Sequence, residues 1–227
     1  MNAISQKVMP FLIDLGNNNN RPWFETNRGR YQDVLAEFTA FVTELISRIS
    51  VDDTTLANVS AKSCIYRIYR DTRFSADKTP YKTHMAASIS AAGKNHVSPS
   101  FYVHFQHGNE SMFGGGMFIT DSNLLKQFRN EICSVPEDFY DIINAPEFRR
   151  FYPEGLWDYQ KLKNVPKGYD IDERYADLLK YKHYLITGTL PDKSLSDEHL
   201  MDYLVEAHRV ILPFNRLLLD VMNSSNA

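Results

Sequence analysis

The chain has little of what would mark a specialised class. Its two cysteines, Cys64 and Cys133, lie far apart, with no CxxC pairing and no histidine at ligand spacing. This excludes a disulfide-rich scaffold and a thiolate zinc site and reads as reduced thiols. No segment approaches about eighteen uninterrupted apolar residues, so no transmembrane helix is expected. The opening residues, MNAISQKVMPFLIDLG, lack a charged leader, a long apolar run and a small-residue cleavage site. The expectation is a cytoplasmic protein with no membrane partner. Positive charge is also short, at a formal net −3. The protein as a whole would be repelled by nucleic acid, so any polyanion contact must rely on a local basic patch. Ten glycines and ten prolines in 227 residues exclude collagenous and disordered chains. No GxSxG elbow and no cysteine with a paired base is present, which removes serine and cysteine hydrolases.

What remains is ordinary globular composition, 43% hydrophobic and 13% aromatic, at a length suited to one well-filled core. Ile4, Val8, Phe11, Leu12 and Leu15 predict a short helix ending at Gly16. The run Asn17 to Asn20 is turn chemistry, and Pro22 then occupies a first helical turn. From Tyr31, Val34 through Ile49 keep a 3.6-residue period, the strongest helix signal in the chain. Strands are expected at Cys64–Arg70, Met85–Ala91, Ser100–His107 and Ser111–Ile119, the last two as a hairpin through HGNE. On the third, Phe101, Val103 and Phe105 face one way and Tyr102, His104 and Gln106 form a polar face. Gly114, Gly115 and Gly116 remove side chains where a backbone or a ligand approaches, and they lack the lysine and the strand-to-helix context of a phosphate loop.

Helices return from Ser122 and from Pro136, and another is expected over Glu173–Tyr184. Leu156–Asp172 is irregular, with PKGYD as an exposed turn. The last helix, capped by Ser194 or Ser196, carries the stripe Leu200, Leu204, Ala207, Ile211, Phe214, Leu218 and Val221, read as a core face, with a kink expected at Pro213. The order favours an α+β single domain over residues 1–227. Its largely antiparallel sheet, of about four or more strands, is flanked by N-terminal and C-terminal helices. Monomer and homodimer both remain open.

One stretch stands apart. CIYRIYRDTRFSADKTPYKTH, Cys64 to His84, holds five cations (Arg67, Arg70, Arg73, Lys78, Lys82), two carboxylates (Asp71, Asp77) and three tyrosines (Tyr66, Tyr69, Tyr81). Its centre falls on a loop between strands. Arginine forks suit a carboxylate or phosphate, so Arg67, Arg70, Arg73, Lys78, Tyr81 and Lys82 are the candidate ligand-binding residues. The competing account is a lattice in which the two acids neutralise neighbouring arginines. Two acids leave a local charge of about +3 to be met by another segment, solvent or a ligand.

No catalytic group is defined by a motif. The candidates are Asp71 and Asp77, as a base or as magnesium ligands, and His104, as a general base on the polar strand face. No cofactor is otherwise predicted, and His104 and His107 fall on opposite strand faces and cannot share a metal. Glu25 and Arg28 read as a surface pair, and Lys167 and Tyr169 as either a rim of the site or a turn. The functional reading is a binder of a phosphate- or carboxylate-bearing ligand, extending to phosphoryl transfer or phosphodiester cleavage. Its alternatives are a noncatalytic nucleic-acid- or protein-binding module and a purely structural lattice.

Arg67, Arg70, Asp71, Arg73, Phe74, Asp77, Lys78, Pro80 and Tyr81 fill the pattern RxxRDxRFxxDKxPY. By it the chain resembles the bacterial family known as domain of unknown function 2461. The resemblance extends to NNNNRPWFETNRGRY, GGGMF and PKGYD. It implies one domain over nearly the whole chain and assigns no reaction.

Overall fold

The computed structural model describes residues 4–224. The periodic apolar run folds as expected. After a π-helical turn at Ile4–Val8 come α1 (Met9–Asn17), α2 (Arg21–Thr26) and α3 (Arg28–Ile49). Asn20 caps α2 by accepting the Trp23 N–H at 3.0 Å, and Pro22 sits in the first turn, where no N–H is needed. Val34, Phe38, Val42, Leu45 and Ile49 of α3 are fully buried or nearly so. Each such side chain contributes roughly 1.5–3 kcal/mol by leaving water.

After α4 (Ala61–Cys64) come β1 (His84–Ile89), β2 (Ser100–Gln106) and β3 (Ser111–Met117), then α5 (Ser122–Ser134), α6 (Pro136–Asn144) and α7 (Pro146–Phe151). A 3-10 turn at Ala176–Lys180 leads to β4 (Tyr184–Leu190), a second at Asp192–Ser196 follows, and α8 (Leu200–Ser224) ends the described chain. The four strands form one antiparallel sheet in the order β1-β2-β3-β4, with helices toward both termini: an α+β fold. No helix among the described residues is long and apolar enough to cross a membrane.

The chain divides into two compact units. The first comprises residues up to 94, 102–113 and 189–206. Its core packs α1 against α3 and α3 against β1, with Phe38 and Phe41 edge-on to Phe105 of β2 at 6.0 and 5.4 Å. The β2–β3 hairpin turns through Gly108 and Asn109, both at positive φ, and the Asp192 carboxylate accepts their two N–H groups at 3.0 Å. The second unit comprises residues 95–101, 114–188 and 207 onward. Tyr184 is its buried centre, with Phe128 at 5.5 Å and Phe139 at 6.5 Å, and its hydroxyl donates to the Leu178 carbonyl.

Three expectations are corrected. Cys64–Arg70 is not a regular strand: Cys64 closes α4, and the following residues make isolated antiparallel bridges, Ile65 to Ala87 and Tyr69 to Tyr81. Residues 173–184 are not a helix; they give a short 3-10 turn and then enter β4. The signal for β4 was present in YLITGTL, whose burial alternates from Tyr184 to Leu190. Ser194 and Ser196 lie in a 3-10 turn rather than capping α8, and the Asp197 carboxylate instead accepts the His199 N–H at 2.9 Å. The α8 stripe is buried along its length, from Leu200 to Val221.

Candidate functional site

The charged stretch is an irregular hairpin held at its base. Tyr66 N–H donates to Ala86 O, Lys82 N–H to Ile68 O and Arg70 N–H to Pro80 O, each at 2.8–2.9 Å. Between the two bridges the outgoing arm has residues 66–68 and the returning arm residues 82–86. The two extra residues force a bulge that turns Lys82, Thr83 and His84 out of a flat ladder.

Tyr81 anchors the hairpin: its ring is buried and stacks on Phe24 of α2 at 4.0 Å and 13°. The Asn19 side chain clamps the same residue, donating to Tyr81 O at 2.9 Å and accepting its N–H at 3.1 Å. Thus the asparagine run does two jobs, with Asn20 capping α2 and Asn19 extending the Tyr81 backbone pairing.

Beyond the bridges the loop closes on its own charges. Arg73 makes a bidentate pair with Asp71, through Nε at 2.9 Å and a terminal nitrogen at 2.7 Å. Arg70 donates to both Asp77 and Thr79, and Asp77 also accepts the Thr79 N–H. These hydrogen bonds hold both carboxyls down at about 2. Lys78 donates to the Thr72 carbonyl at 2.9 Å, and Phe74 at the tip is almost fully exposed.

Lys78 and Lys82 have no carboxylate partner among the described residues, and Arg67 makes no ion pair there but adds to the charge that holds Asp71 down. Lys82 is half-buried, with its ammonium 5.3 Å from the centre of the Tyr66 ring. Burial and the charge of Arg67 both push its pKa down.

Lys82 borders a polar network on β1 and β2. Tyr102 hydroxyl lies 3.0 Å from His104 Nδ1, and His104 Nε2 and His84 Nδ1 each lie 3.1 Å from Gln106 Oε1. The Gln106 amide nitrogen donates to Glu110. With Gln106 oriented by Glu110, its carbonyl must accept from both imidazoles. His104 therefore carries its proton on Nε2 and accepts the Tyr102 hydroxyl proton at Nδ1; burial and Tyr66 raise that phenol to about 12, so it stays protonated. His84 carries its proton on Nδ1, which leaves Nε2 as a lone pair with no partner among the described residues.

The two rings stack at 4.1 Å. Burial, with His104 and Lys82 adding, lowers His84 to about 4, and burial lowers His104 as well, so both are neutral at pH 7.

His84 and Gln106 were the functional groups hardest to see in sequence. The alternation of β2 put Tyr102, His104 and Gln106 on one face, but only the pairing of β1 with β2 sets His84 over His104. Of the other residues named from sequence, Glu25 and Arg28 form an exposed pair at 2.7 Å. His107 is exposed and pairs with Asp192 at 3.1 Å. Lys167 and Tyr169 lie in a turn of the second unit around Gly168, whose φ is +90°. Among the described residues no three histidine, cysteine, aspartate or glutamate side chains group as metal ligands.

The fold and this face define an α+β protein with a charged hairpin beside a neutral histidine pair. The sequence matches the family described as conserved hypothetical protein (DUF2461) over residues 7–216, and the chain belongs to that family. No curated protein and no solved structure matches the chain.

Proposed function

We propose that the protein binds a small phosphate- or carboxylate-bearing ligand on the polar face around Lys82, with Arg67 and Lys82 as its cations. The observation that carries this reading is Lys82, a half-buried ammonium with no ion pair among the described residues, whose pKa burial and then the charge of Arg67 push down. Arg70 and Arg73, tied to Asp77 and Asp71, shape the loop around the site. The His84 Nε2 lone pair supplies an acceptor for a hydroxyl on the same ligand. Such a hydroxyl would pass its proton to His84 as its oxygen bonds to the phosphorus or carbonyl carbon of a phosphodiester or ester and the bond to the departing alcohol breaks, the proton going on to that alcohol, so His84 replaces Asp71 and Asp77 as the proposed base. A magnesium ion at either aspartate would first have to displace its arginine.

Titration calorimetry with inorganic phosphate, a hexose phosphate and citrate tests the reading. Lys82→Met and Arg67→Ala should each weaken the best of these by about 10-fold or more, the worth of one charge-assisted hydrogen bond. Arg73→Ala should stay within about 2-fold, because its charge is already met by Asp71. Absence of binding by all three anions, or loss with Arg73→Ala and not with Lys82→Met, would overturn it.

A further inference from the structure

The second unit carries a feature that the charged hairpin does not explain. Trp157, Tyr159, His183 and Phe118 form one continuous ladder of rings. Trp157 stacks on Tyr159 at 5.1 Å and 29°, Tyr159 on His183 at 5.7 Å and 27°, and Phe118 on His183 at 3.9 Å and 12°. The ladder sits on ordered backbone, because Trp157 N–H donates to Leu185 O at 2.7 Å and Leu156 bridges to Ile186 of β4. Yet Phe118, Trp157 and Tyr159 are 47%, 43% and 41% exposed. Large aromatics held in mutual ring contact, Phe118 and Tyr159 tilted by 39°, and open to solvent mark a stacking surface rather than a core.

Beside Phe118 lies a cleft of about 330 Å³, within the usual range for small-ligand sites, lined also by Ser122, Leu125, Gln160, Lys182 and His183. His183 is 95% buried by its 5% exposure. Its Nδ1 accepts the Ile119 N–H at 3.2 Å, so its proton is on Nε2, and that buried N–H has no acceptor. The ring stays neutral, since burial and the charge of Lys182 push its pKa down. Lys182 has no acidic partner among the described residues. Asp121 lines the same cleft, and its carboxylate accepts the N–H groups of Asn123 and Leu124 at 2.7 and 2.8 Å.

The cleft thus offers an open ring face and a cation without an ion pair, with the unpartnered His183 N–H enclosed in its wall. A neutral sugar answers only the first. A planar heterocycle carrying a negative charge answers both. We propose that this cleft binds a nucleobase-bearing anion, with the base stacked on Phe118 and its phosphate held by Lys182. A mononucleotide and the end of a single strand share that chemistry. The proposal rests on no part of the reading given for Lys82.

Trp157 reports on it at one remove, through Tyr159, whose ring lies 5.1 Å from Trp157 and 6.3 Å from Phe118. In the full chain carrying Trp23→Phe, fluorescence is titrated with adenosine monophosphate, adenosine, a short oligodeoxyadenylate and tryptophanamide. Saturable quenching by adenosine monophosphate is expected, with adenosine roughly 10-fold weaker for want of the Lys182 contact. Lys182→Met should abolish that difference, and Phe118→Leu should weaken both ligands while preserving an apolar side chain. Lys82→Met should leave the quenching of Trp157 unchanged while weakening phosphate at the hairpin, which separates the two sites. A tighter oligonucleotide would identify the source as a single strand, and equal affinity per base a free nucleotide. No saturable quenching, or quenching by tryptophanamide as strong as that by the nucleotide and indifferent to Lys182→Met, would overturn the proposal.

Discussion

Burying His84 against His104 holds both rings neutral, and that neutrality is linked to stability. The unfolded chain takes up a proton at His84 near the ordinary value of 6.5, whereas the folded chain resists until about 4. Between those limits the unfolded state binds more protons, so stability falls as pH drops from 6.5 to 4. His84→Gln, which keeps a polar side chain without the titration, should flatten urea-measured stability across that window. The slope should change by up to about 1.4 kcal/mol per pH unit, the value for one proton. Asp71 and Asp77 act lower and in the same sense: their depressed carboxyls contribute above about 3.8 and lose that contribution as pH falls toward 2. An unchanged slope between 6.5 and 4 in the variant would show that His84 is not held neutral. Sequence brought His104 into view through the alternation of β2 but left His84 as the end of a charged run, because cross-strand neighbours depend on register.

At the scale of elements, the triple glycine of β3 is a packing device. A Cβ on Gly114 would lie 2.0 Å from the carbonyl oxygen of Ile186, and one on Gly116, at φ +96°, would lie 2.0 Å from that of Tyr184. Both obstacles are backbone of β4 and cannot rotate away. Asn215 fills the space beside them, accepting the Gly116 N–H at 2.9 Å and donating to Ser100 O at 3.2 Å. Gly114→Ala should therefore cost about 3 kcal/mol or more in urea unfolding. Gly29→Ala, on α3 with nothing within 4 Å, should be neutral or stabilise by up to about 0.5 kcal/mol. Equal midpoints for the two variants would contradict the close approach. That a backbone or a ligand would lie against these glycines was legible in the sequence; that it is the backbone of β4 was not. The residues of β4 come 67 positions after β3 ends (184 − 117), and a helix was expected just before them. The long helices were legible because a 3.6-residue stripe is local. The Cys64–Arg70 segment misled because its alternation is real while the bulge opposite it, in residues 82–86, is set by a partner arm that sequence alone does not align.

Across the whole molecule, four elements each contribute to both compact units: β2, β3, β4 and α8 all cross the division between them. Neither unit owns a complete sheet or the whole of the last helix, so melting one unit removes strand residues from the ladder that the other needs. This connectivity predicts one cooperative unfolding transition rather than two. The two tryptophans provide the test, because Trp23 belongs to the first unit and Trp157 to the second. In single-tryptophan variants, Trp23→Phe and Trp157→Phe, urea curves read by fluorescence should each coincide with the curve read by far-ultraviolet circular dichroism of the same variant. Each pair should share one midpoint and one m-value. A fluorescence midpoint displaced from that of the backbone signal, in either variant, would mean that the units unfold independently and that shared strands do not couple them. Occupancy then extends the argument. A ligand that binds only the folded chain stabilises it by mass action. Phosphate or citrate at Lys82 should therefore raise the midpoint seen at Trp157 as much as the one seen at Trp23, whereas independent units would confine the shift to Trp23.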